Sequence, residues 1–346
     1  MASRKINVGI IGTGWIGEIR AKVCANHPLV DSVHIAEIDP AKLARVGEET
    51  RAKTATTDYR ELLRRDDIDA IFVCSTPETT HYPITKDCLL ARKHTLLEKP
   101  MGLALQEADE MMTLAKKASL KFTIGYTQRF NPKYAYVKQS LLNGTLGRPV
   151  TALVSRNVSR SIGNKIGGRI RLSPAVMEAT HDIDFILWCL EGTKPVRVYA
   201  QSVYRIMEQA HGVPDCQWIM VTMEDGTAFT IGAGWALPPG YPHFSTATLE
   251  FVGTEGALLI DDSHRDIVLN TMRGGMTLPL STMPGEQVAH VYQGPMEAET
   301  IHFVEAVALD RAVLVTPEQA RQVMEITLAA DLSAECHQPV SLPLQT

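Results

Sequence analysis

The sequence predicts two domains of different construction: an α/β domain on a doubly wound parallel sheet, followed by an α+β domain on an antiparallel sheet. Three observations predict this. A chain of 346 residues holds roughly two domains at about 150 residues each. Residues 1–125 alternate apolar, β-rich runs with helix-compatible segments, the pattern of strands joined by crossover helices. Beyond Pro149, strand-like runs succeed one another across tight turns, which calls for antiparallel pairing.

Ile6–Ile11 is an apolar strand that runs into Gly12-Thr13-Gly14-Trp15-Ile16-Gly17, and a helix is expected from about Ile16 to Asn26. A glycine-rich turn between a strand and a helix suits a dinucleotide. Gly12 makes the tight turn, Gly14 lets backbone approach a pyrophosphate, and Gly17 lets helix and strand pack closely. The pyrophosphate then meets the helix N-terminus, where free N–H groups and the dipole favour an anion. A second strand, Val33–Ala36, ends in Glu37, about twenty residues past the loop, where a carboxylate accepts hydrogen bonds from a ribose. That carboxylate repels the 2′-phosphate of NADP, so NAD is favoured. Arg45, two turns along a helix over 41–50, is the group that bears on the contrary case.

The alternation continues through a short helix at Tyr59–Arg65 capped by Asp58, a strand at Ala70–Cys74, and Ser75-Thr76-Pro77 before a helix around His81–Ala91. The strand Thr95–Leu97 leads into Glu98-Lys99-Pro100. The next helix carries Ala108, Met111, Met112 and Ala115 on one face, and Phe122–Gly125 reads as the last strand. Ligands of such a sheet bind beyond the strand C-termini, where Gly12, Glu37, Ser75, Thr76, Pro77, Glu98 and Lys99 collect.

A helix over 132–143 opens on Asn131-Pro132 and closes at Asn143-Gly144. Strands are then expected at Val150–Asn157, Val196–Tyr204, Cys216–Glu224, Ala228–Ala236, Ala247–Val252 and Ala257–Asp261, with turns at Glu224–Thr227 and Thr254–Gly256. Between the first two, Ser173-Pro174 starts a helix that runs to Leu190 and is closed by Gly192. Its Glu178 and His181, three apart, share a face; a carboxylate beside an imidazole orients the ring and favours its protonated form. Such a pair on a helix is more often a plain surface pair. Arg156, Arg160, Lys165, Arg169 and Arg171 lie in a basic, glycine-containing stretch just before this helix, readable as a solvated loop or as a lid over an anionic or polyhydroxylated substrate. The C-terminal helix opens on a capping box, Thr316-Pro317-Glu318-Gln319.

Composition excludes several classes. Net charge is −5 and no Lys/Arg tract occurs, which argues against a nucleic-acid or anionic-membrane surface. No apolar run approaches a membrane span, and the apolar stretch after Arg4-Lys5 breaks too early for a signal peptide. The six cysteines are scattered with no CxxC, so buried free thiols in a reducing cytoplasm are expected. With no CxxC or HxxxH spacing, no metal site is expected.

Taken together, the Gly12–Gly17 loop, Thr76-Pro77 followed by His81, Glu98-Lys99-Pro100, Gly125–Pro132, His181-Asp182-Ile183-Asp184 and Pro339–Pro343 resemble the Gfo/Idh/MocA oxidoreductases over almost the whole chain. The resemblance implies a Rossmann domain (1–125) and a substrate-binding and oligomerisation domain (126–346) on a large, open, mostly antiparallel sheet. The free face of that sheet implies a homodimer or homotetramer. The implied chemistry is NAD-dependent oxidation of a secondary alcohol of a sugar, cyclitol or sugar derivative, or reduction of the ketone. Lys99 matches the family's active-site lysine and His181 its catalytic histidine. Many polyol dehydrogenases of the family carry a carboxylate four residues before that histidine, where this chain has Met177; Glu178 then stands in its place or does not.

On that reading the catalytic set is Lys99, His181 and Glu178. Gly12, Thr13, Gly14, Trp15, Ile16, Gly17, Glu37, Ser75, Thr76, Pro77, His81, Glu98, Lys99 and Arg129 hold the cofactor. Tyr126, Asn157, Asp182, Lys99 and His181 meet substrate, and Asp184 is structural. Either His181 or Lys99 is the base, the other stabilising charge on oxygen. Two alternatives are an enzyme that retains NAD and re-reduces its intermediate within one turnover, and a nicotinamide-sensing regulator without catalysis.

Overall fold

The computed structural model describes residues 4–238, 245–261, 269–273, 275–277, 286–288 and 291–345. In chain order come β1 (Ile6–Ile11), α1 (Trp15–Asn26), β2 (Val30–Ala36), α2 (Pro40–Thr50), β3 (Thr54–Thr56), α3 (Tyr59–Leu63) and β4 (Ala70–Val73). Then follow α4 (His81–Leu90), β5 (His94–Leu97), α5 (Leu105–Lys117), β6 (Phe122–Ile124), α6 (Pro132–Leu142), β7 (Pro149–Ser159) and α7 (Arg160–Gly167). A π-helical turn (Ala175–Ala179) precedes α8 (Thr180–Cys189), β8 (Pro195–Val203), α9 (Met207–His211), β9 (Cys216–Met223), β10 (Ala228–Leu237), β11 (Ser245–Gly253) and β12 (Ala257–Asp261). Two short hairpins, β13 (Leu269–Thr271) with β14 (Gly275–Thr277) and β15 (Glu286–Val288) with β16 (Val291–Gln293), lead to α10 (Pro295–Ala308), α11 (Pro317–Cys336) and β17 (Val340–Ser341).

Two compact units emerge, one of Met1–Phe130 with Thr282–Arg321 and the other of Asn131–Ser281 with Gln322–Thr346. The first carries a six-stranded sheet in the order β3-β2-β1-β4-β5-β6, with every pair parallel. Its order reverses between β1 and β4, so the ends of those two strands flank the crevice where this topology takes a ligand. The first stretch of this unit ends at Phe130, near the expected boundary at residue 125, and α10 returns to the same unit. Phe303 and Val304 of α10 are buried with Val8, Ile10, Phe72 and Leu96, and Phe303 meets Phe72 edge-on at 5.1 Å. Burying each such side chain contributes about 1.5–3 kcal/mol, which no sequence boundary opposes.

Local chemistry sets the helix ends, and the caps expected at Asp58, Asn131 and Thr316 form. Asp39 caps α2 by accepting from Ala41 N and Lys42 N at 2.9 and 3.3 Å, with Pro40 in the first turn. Asn131 does the same for α6, accepting from Lys133 N at 3.1 Å. The capping box of α11 forms both ways: Gln319 N donates to Thr316 Oγ1 at 3.2 Å, and Thr316 N to Gln319 Oε1 at 3.3 Å.

The second unit is built on a seven-stranded sheet in the order β12-β11-β7-β10-β9-β8-β17. All pairs are antiparallel except β7 with β10. One face of the sheet is buried. The other exposes Leu153, Tyr199, Trp218, Met220 and Leu259. Residues 160–167, expected as part of a basic loop, form α7 instead. Gly163 there packs so closely that a methyl group would lie 2.6 Å from Trp235 Cβ. The expected helix from Ser173 to Leu190 is also divided, with a π turn before α8. Among the described residues no helix is long and apolar enough to cross a membrane. All six cysteines are free; Cys24, Cys74, Cys88 and Cys189 are buried, while Cys216 is half-buried and Cys336 exposed, against the expectation of burial throughout.

Candidate active site

In the first unit the glycine loop leaves β1 and turns into α1. Gly12 adopts a positive φ of 86°, and a methyl group at Gly17 would lie 1.9 Å from the Gly12 carbonyl oxygen. At Gly14, immediately before α1, a methyl group would meet nothing within 4 Å, and no side chain caps the helix. The N-terminus of α1 thus presents unblocked N–H groups to open space, which fits the phosphates of a dinucleotide. Trp15 at the start of α1 is exposed and Ile16 half-buried.

Glu37 ends β2 as a buried carboxylate. Its Oε2 accepts from Thr13 N at 2.6 Å and from Thr13 Oγ1 at 3.0 Å, and its Oε1 accepts from Asp39 N at 3.0 Å. Glu37 therefore ties the glycine loop to the end of β2 as well as presenting negative charge there. Arg45 is committed elsewhere, donating to Glu18 at 2.9 and 2.6 Å and to Glu49 at 3.1 Å. These hydrogen bonds from Arg45, with Lys22 adding to them, hold Glu18 down at a pKa of about 2.

The ends of β4 and β5 supply the next two loops. Ser75 Oγ and Thr80 Oγ1 are hydrogen-bonded at 2.7 Å, and Thr80 Oγ1 also donates to the Pro77 carbonyl at 2.7 Å. Thr76–Pro77 and Lys99–Pro100 are both cis peptides. Thr76 is exposed, while Ser75, Pro77, Glu98 and Lys99 are half-buried. His81, expected at the cofactor, is buried and spans the two loops. Its Nδ1 lies 2.7 Å from the Pro100 carbonyl oxygen and its Nε2 3.1 Å from that of Ser75. Burial lowers its pKa, against the upward pull of the two backbone carbonyls.

Glu98 and Arg129, also expected at the cofactor, both make hydrogen bonds within the protein. Glu98 Oε1 accepts from Arg20 Nε at 2.8 Å and from Arg20 Nη2. Arg129 is buried, its Nη1 donating to the Leu314 carbonyl at 3.1 Å and to Gln319 Oε1 at 2.9 Å. Tyr126 is buried at 1% exposure, so it stands in the core of this unit.

In the second unit His181 opens the first turn of α8 and is half-buried. Glu178, in the π turn, accepts from Trp235 Nε1 of β10 at 2.9 Å. Met177 is buried, in a cluster with Trp235, Val158 and Met207. Asp182, expected at the substrate, forms a buried two-pronged ion pair with Arg156 of β7: Arg156 Nε donates to Oδ2 at 2.6 Å and Nη2 to Oδ1 at 2.8 Å. Burial opposes the Arg156 charge, and the Asp182 carboxylate more than offsets it, raising its pKa. Arg156 is thus no part of a solvated basic loop, and Arg160 too is held, its Nε donating to the Ala236 carbonyl at 3.2 Å. Asp184 is fully buried. Asn157 on β7 is half-buried, its Nδ2 donating to Ser155 Oγ at 3.2 Å.

Sequence reasoning passed over Arg20, Glu299 and Trp235. One signal was available for the first, an arginine set among Ile19, Ala21, Val23 and Cys24 in a helix, which asks for a buried partner. Among the described residues no group of His, Cys, Asp and Glu is arranged to hold a metal ion.

Residues 6–126 match the family model described as the oxidoreductase family, NAD-binding Rossmann fold, and residues 134–259 match the GFO/IDH/MocA C-terminal domain. An uncharacterised oxidoreductase, YrbE of Bacillus subtilis, is 26% identical over 98% of this chain and 97% of its own length. A myo-inositol 2-dehydrogenase of Thermotoga maritima is 26% identical over 78% of this chain and 79% of its own. A scyllo-inositol dehydrogenase of Lactobacillus casei, solved with NAD(H) and scyllo-inositol bound, superposes with a TM-score of 0.84 at 23% identity, covering 98% of this chain and 99% of that one. Together the two matches cover more than half the chain, and with the open helix N-terminus behind the glycine loop they identify it as an NAD-binding oxidoreductase of the GFO/IDH/MocA family.

Proposed function

We propose that this chain transfers a hydride between NAD and a secondary alcohol or ketone of a cyclitol, sugar or sugar derivative. The observation that carries the reading is the arrangement at one edge of the parallel sheet. Adjacent strands β1, β4 and β5 end in the glycine loop, in Ser75-Thr76-Pro77 and in Glu98-Lys99-Pro100, so Lys99 stands two strands from the loop that fits a pyrophosphate. The named activities of the inositol dehydrogenase relatives support a polyhydroxylated substrate. Met177, buried among apolar side chains, argues for a substrate contact set different from the polyol dehydrogenases that carry a carboxylate at that position.

Bound NAD supplies the hydride acceptor. The glycine loop and the N-terminus of α1 hold its pyrophosphate, and Glu37 faces the ribose and disfavours a 2′-phosphate. Lys99 donates to the substrate oxygen and stabilises alkoxide character while His181 removes the hydroxyl proton, or the two exchange these roles. Glu178, held by Trp235, lies three residues before His181 and is the carboxylate proposed to orient it. Asn157 is the remaining candidate for a substrate hydroxyl. Free cysteines support a reducing, cytoplasmic setting.

The test is formation of reduced nicotinamide with NAD or NADP against cyclitols, aldoses, sugar acids and a nucleotide sugar, with Lys99→Ala in parallel. The expected result is turnover of a polyol with NAD in preference to NADP, and a loss in kcat of about 10²–10⁴ in Lys99→Ala. Intact NAD binding with silence across the panel would overturn the reading, in favour of a retained-cofactor enzyme or a sensor.

A further inference from the structure

A buried cluster behind the Glu-Lys-Pro turn joins three distant parts of the first unit. Arg20 of α1 is fully buried. It donates through Nε and Nη2 to Glu98 Oε1, through Nη2 to Glu299 Oε2 and through Nη1 to Thr300 Oγ1. Glu299 and Thr300 lie on α10, and Thr127 Oγ1 adds a longer donation to Glu299 Oε2 at 3.4 Å. The Gly125 backbone closes the remaining side, where a methyl group would lie 2.9 Å from Glu98 Oε2 and 3.2 Å from Arg20 Nη2. Two carboxylates, Glu299 buried and Glu98 half-buried, thus share one buried guanidinium, and Glu98 is the residue that immediately precedes Lys99.

We propose that Glu299 is a positioning residue for Lys99, acting through Arg20 and Glu98, and that the firmness of this clamp follows the ionisation of Glu299. The inference rests on Lys99 being the active-site lysine. Two features of Glu299 support it. Its Oε1 is buried with no hydrogen-bond partner among the described residues, an arrangement that suits a protonated oxygen far better than a charged one. Burial pushes its pKa up to about 7, against the pull of Arg20 and with Glu98 adding to the rise. The charged groups that face it are Arg20 from α1 and Glu98 from the β5 turn, with the Thr127 hydroxyl; Cys74, against Arg20, is a buried thiol whose own pKa is raised by burial. With Glu299 protonated, Arg20 belongs to Glu98 alone. Once Glu299 ionises, two carboxylates compete for one cation, Glu98 is held less firmly, and the turn carrying Lys99 gains negative charge.

The experiment is competitive amine labelling with acetic anhydride across pH 6 to 8.5, read peptide by peptide by mass spectrometry on the full-length protein without cofactor. The rate at Lys99 is divided by that at exposed Lys116. In the unmodified protein the ratio is expected to fall by about twofold or more through an inflection near pH 7, and Glu299→Gln is expected to remove the inflection. A flat ratio in the unmodified protein, or an inflection that persists in folded Glu299→Gln, overturns the proposal. If Glu299→Gln does not fold, the profile of the unmodified protein decides alone. The readout needs no substrate, so it separates from the catalytic reading. Loss of turnover in Lys99→Ala with a flat labelling ratio sinks only the positioning role, whereas full turnover in Lys99→Ala sinks the catalytic reading itself.

Discussion

A methyl group added at Gly17 would lie 1.9 Å from the Gly12 carbonyl oxygen, whereas one added at Gly14 would meet nothing within 4 Å. The two glycines sit in one loop, yet physical chemistry gives them separate duties. Gly17 is required by the protein's own packing, because its α-carbon lies against backbone that has no side-chain freedom to yield. Gly14 is spare as far as the protein is concerned, and its bareness matters only if a ligand comes close. Gly17→Ala is therefore expected to lower the melting temperature, at a cost of about 1–3 kcal/mol or more for overpacking. Gly14→Ala is expected to stay within about 1 kcal/mol of the unmodified protein in stability while weakening NAD by tenfold or more, about 1.4 kcal/mol. Thermal melts and NAD titration by protein fluorescence separate the two. Equal NAD affinity in Gly14→Ala would show that the open space before α1 is not the pyrophosphate site.

At the scale of the element, α7 shows how close packing overrides propensity. Gly163 lies inside this helix, where alanine is normally better by about 1 kcal/mol. Its missing side chain, however, would fall 2.6 Å from Trp235 Cβ, and that tryptophan is fully buried while its Nε1 donates to Glu178. The clash outweighs the propensity, so Gly163→Ala is expected to destabilise by about 1–3 kcal/mol. Because Trp235 is what holds Glu178, the same change is also expected to raise the KM of the substrate that the assay identifies. A stabilised Gly163→Ala, seen as a higher urea midpoint, would refute the packing account. The same contrast explains what was legible beforehand. The glycine loop, Glu37, the caps Asp58 and Asn131 and the capping box at Thr316 follow from chemistry between near neighbours, and sequence spacing displays them. Arg20 meets Glu98 across 78 positions and Glu299 across 279, and Arg156 meets Asp182 only because β7 and α8 fold together. Such partners leave at most a hint in the chain, a charge set among apolar neighbours. The π turn left none, and it is why a helix expected to be continuous from Ser173 is divided before His181.

At the scale of the whole molecule, the second sheet carries its strongest message on the face away from its core. Cross-strand register sets Leu259 beside Glu250, Glu250 beside Leu153, Leu153 beside Thr230, Thr230 beside Met220 and Met220 beside Tyr199. That row crosses six strands, and its four large apolar members are all at least 41% exposed. Trp218, half exposed on the neighbouring row, lies over Gly232, whose absent side chain leaves the indole a flat seat. A sheet with one solvated face alternates apolar inside with polar outside; here the outer row carries four large apolar side chains around Glu250 and Thr230, and exposed apolar surface of this kind marks an interaction site. A second copy of this chain is the expected occupant, since a sheet face meets itself readily about a two-fold axis and a stable interface needs about 1,600 Å² in total. The protein is therefore expected to sediment as a dimer or tetramer. Leu153→Asp places an unpaired carboxylate in the middle of the row. In the isolated subunit that position is half exposed, so folding should change by no more than about 1 kcal/mol. In the assembly the charge is buried without a partner, at a cost of several kcal/mol, enough to raise the dissociation constant by about a hundredfold or more. Sedimentation velocity over a dilution series decides it: a monomer in the unmodified protein at micromolar concentration, or an assembly indifferent to Leu153→Asp, would remove this face as the interface.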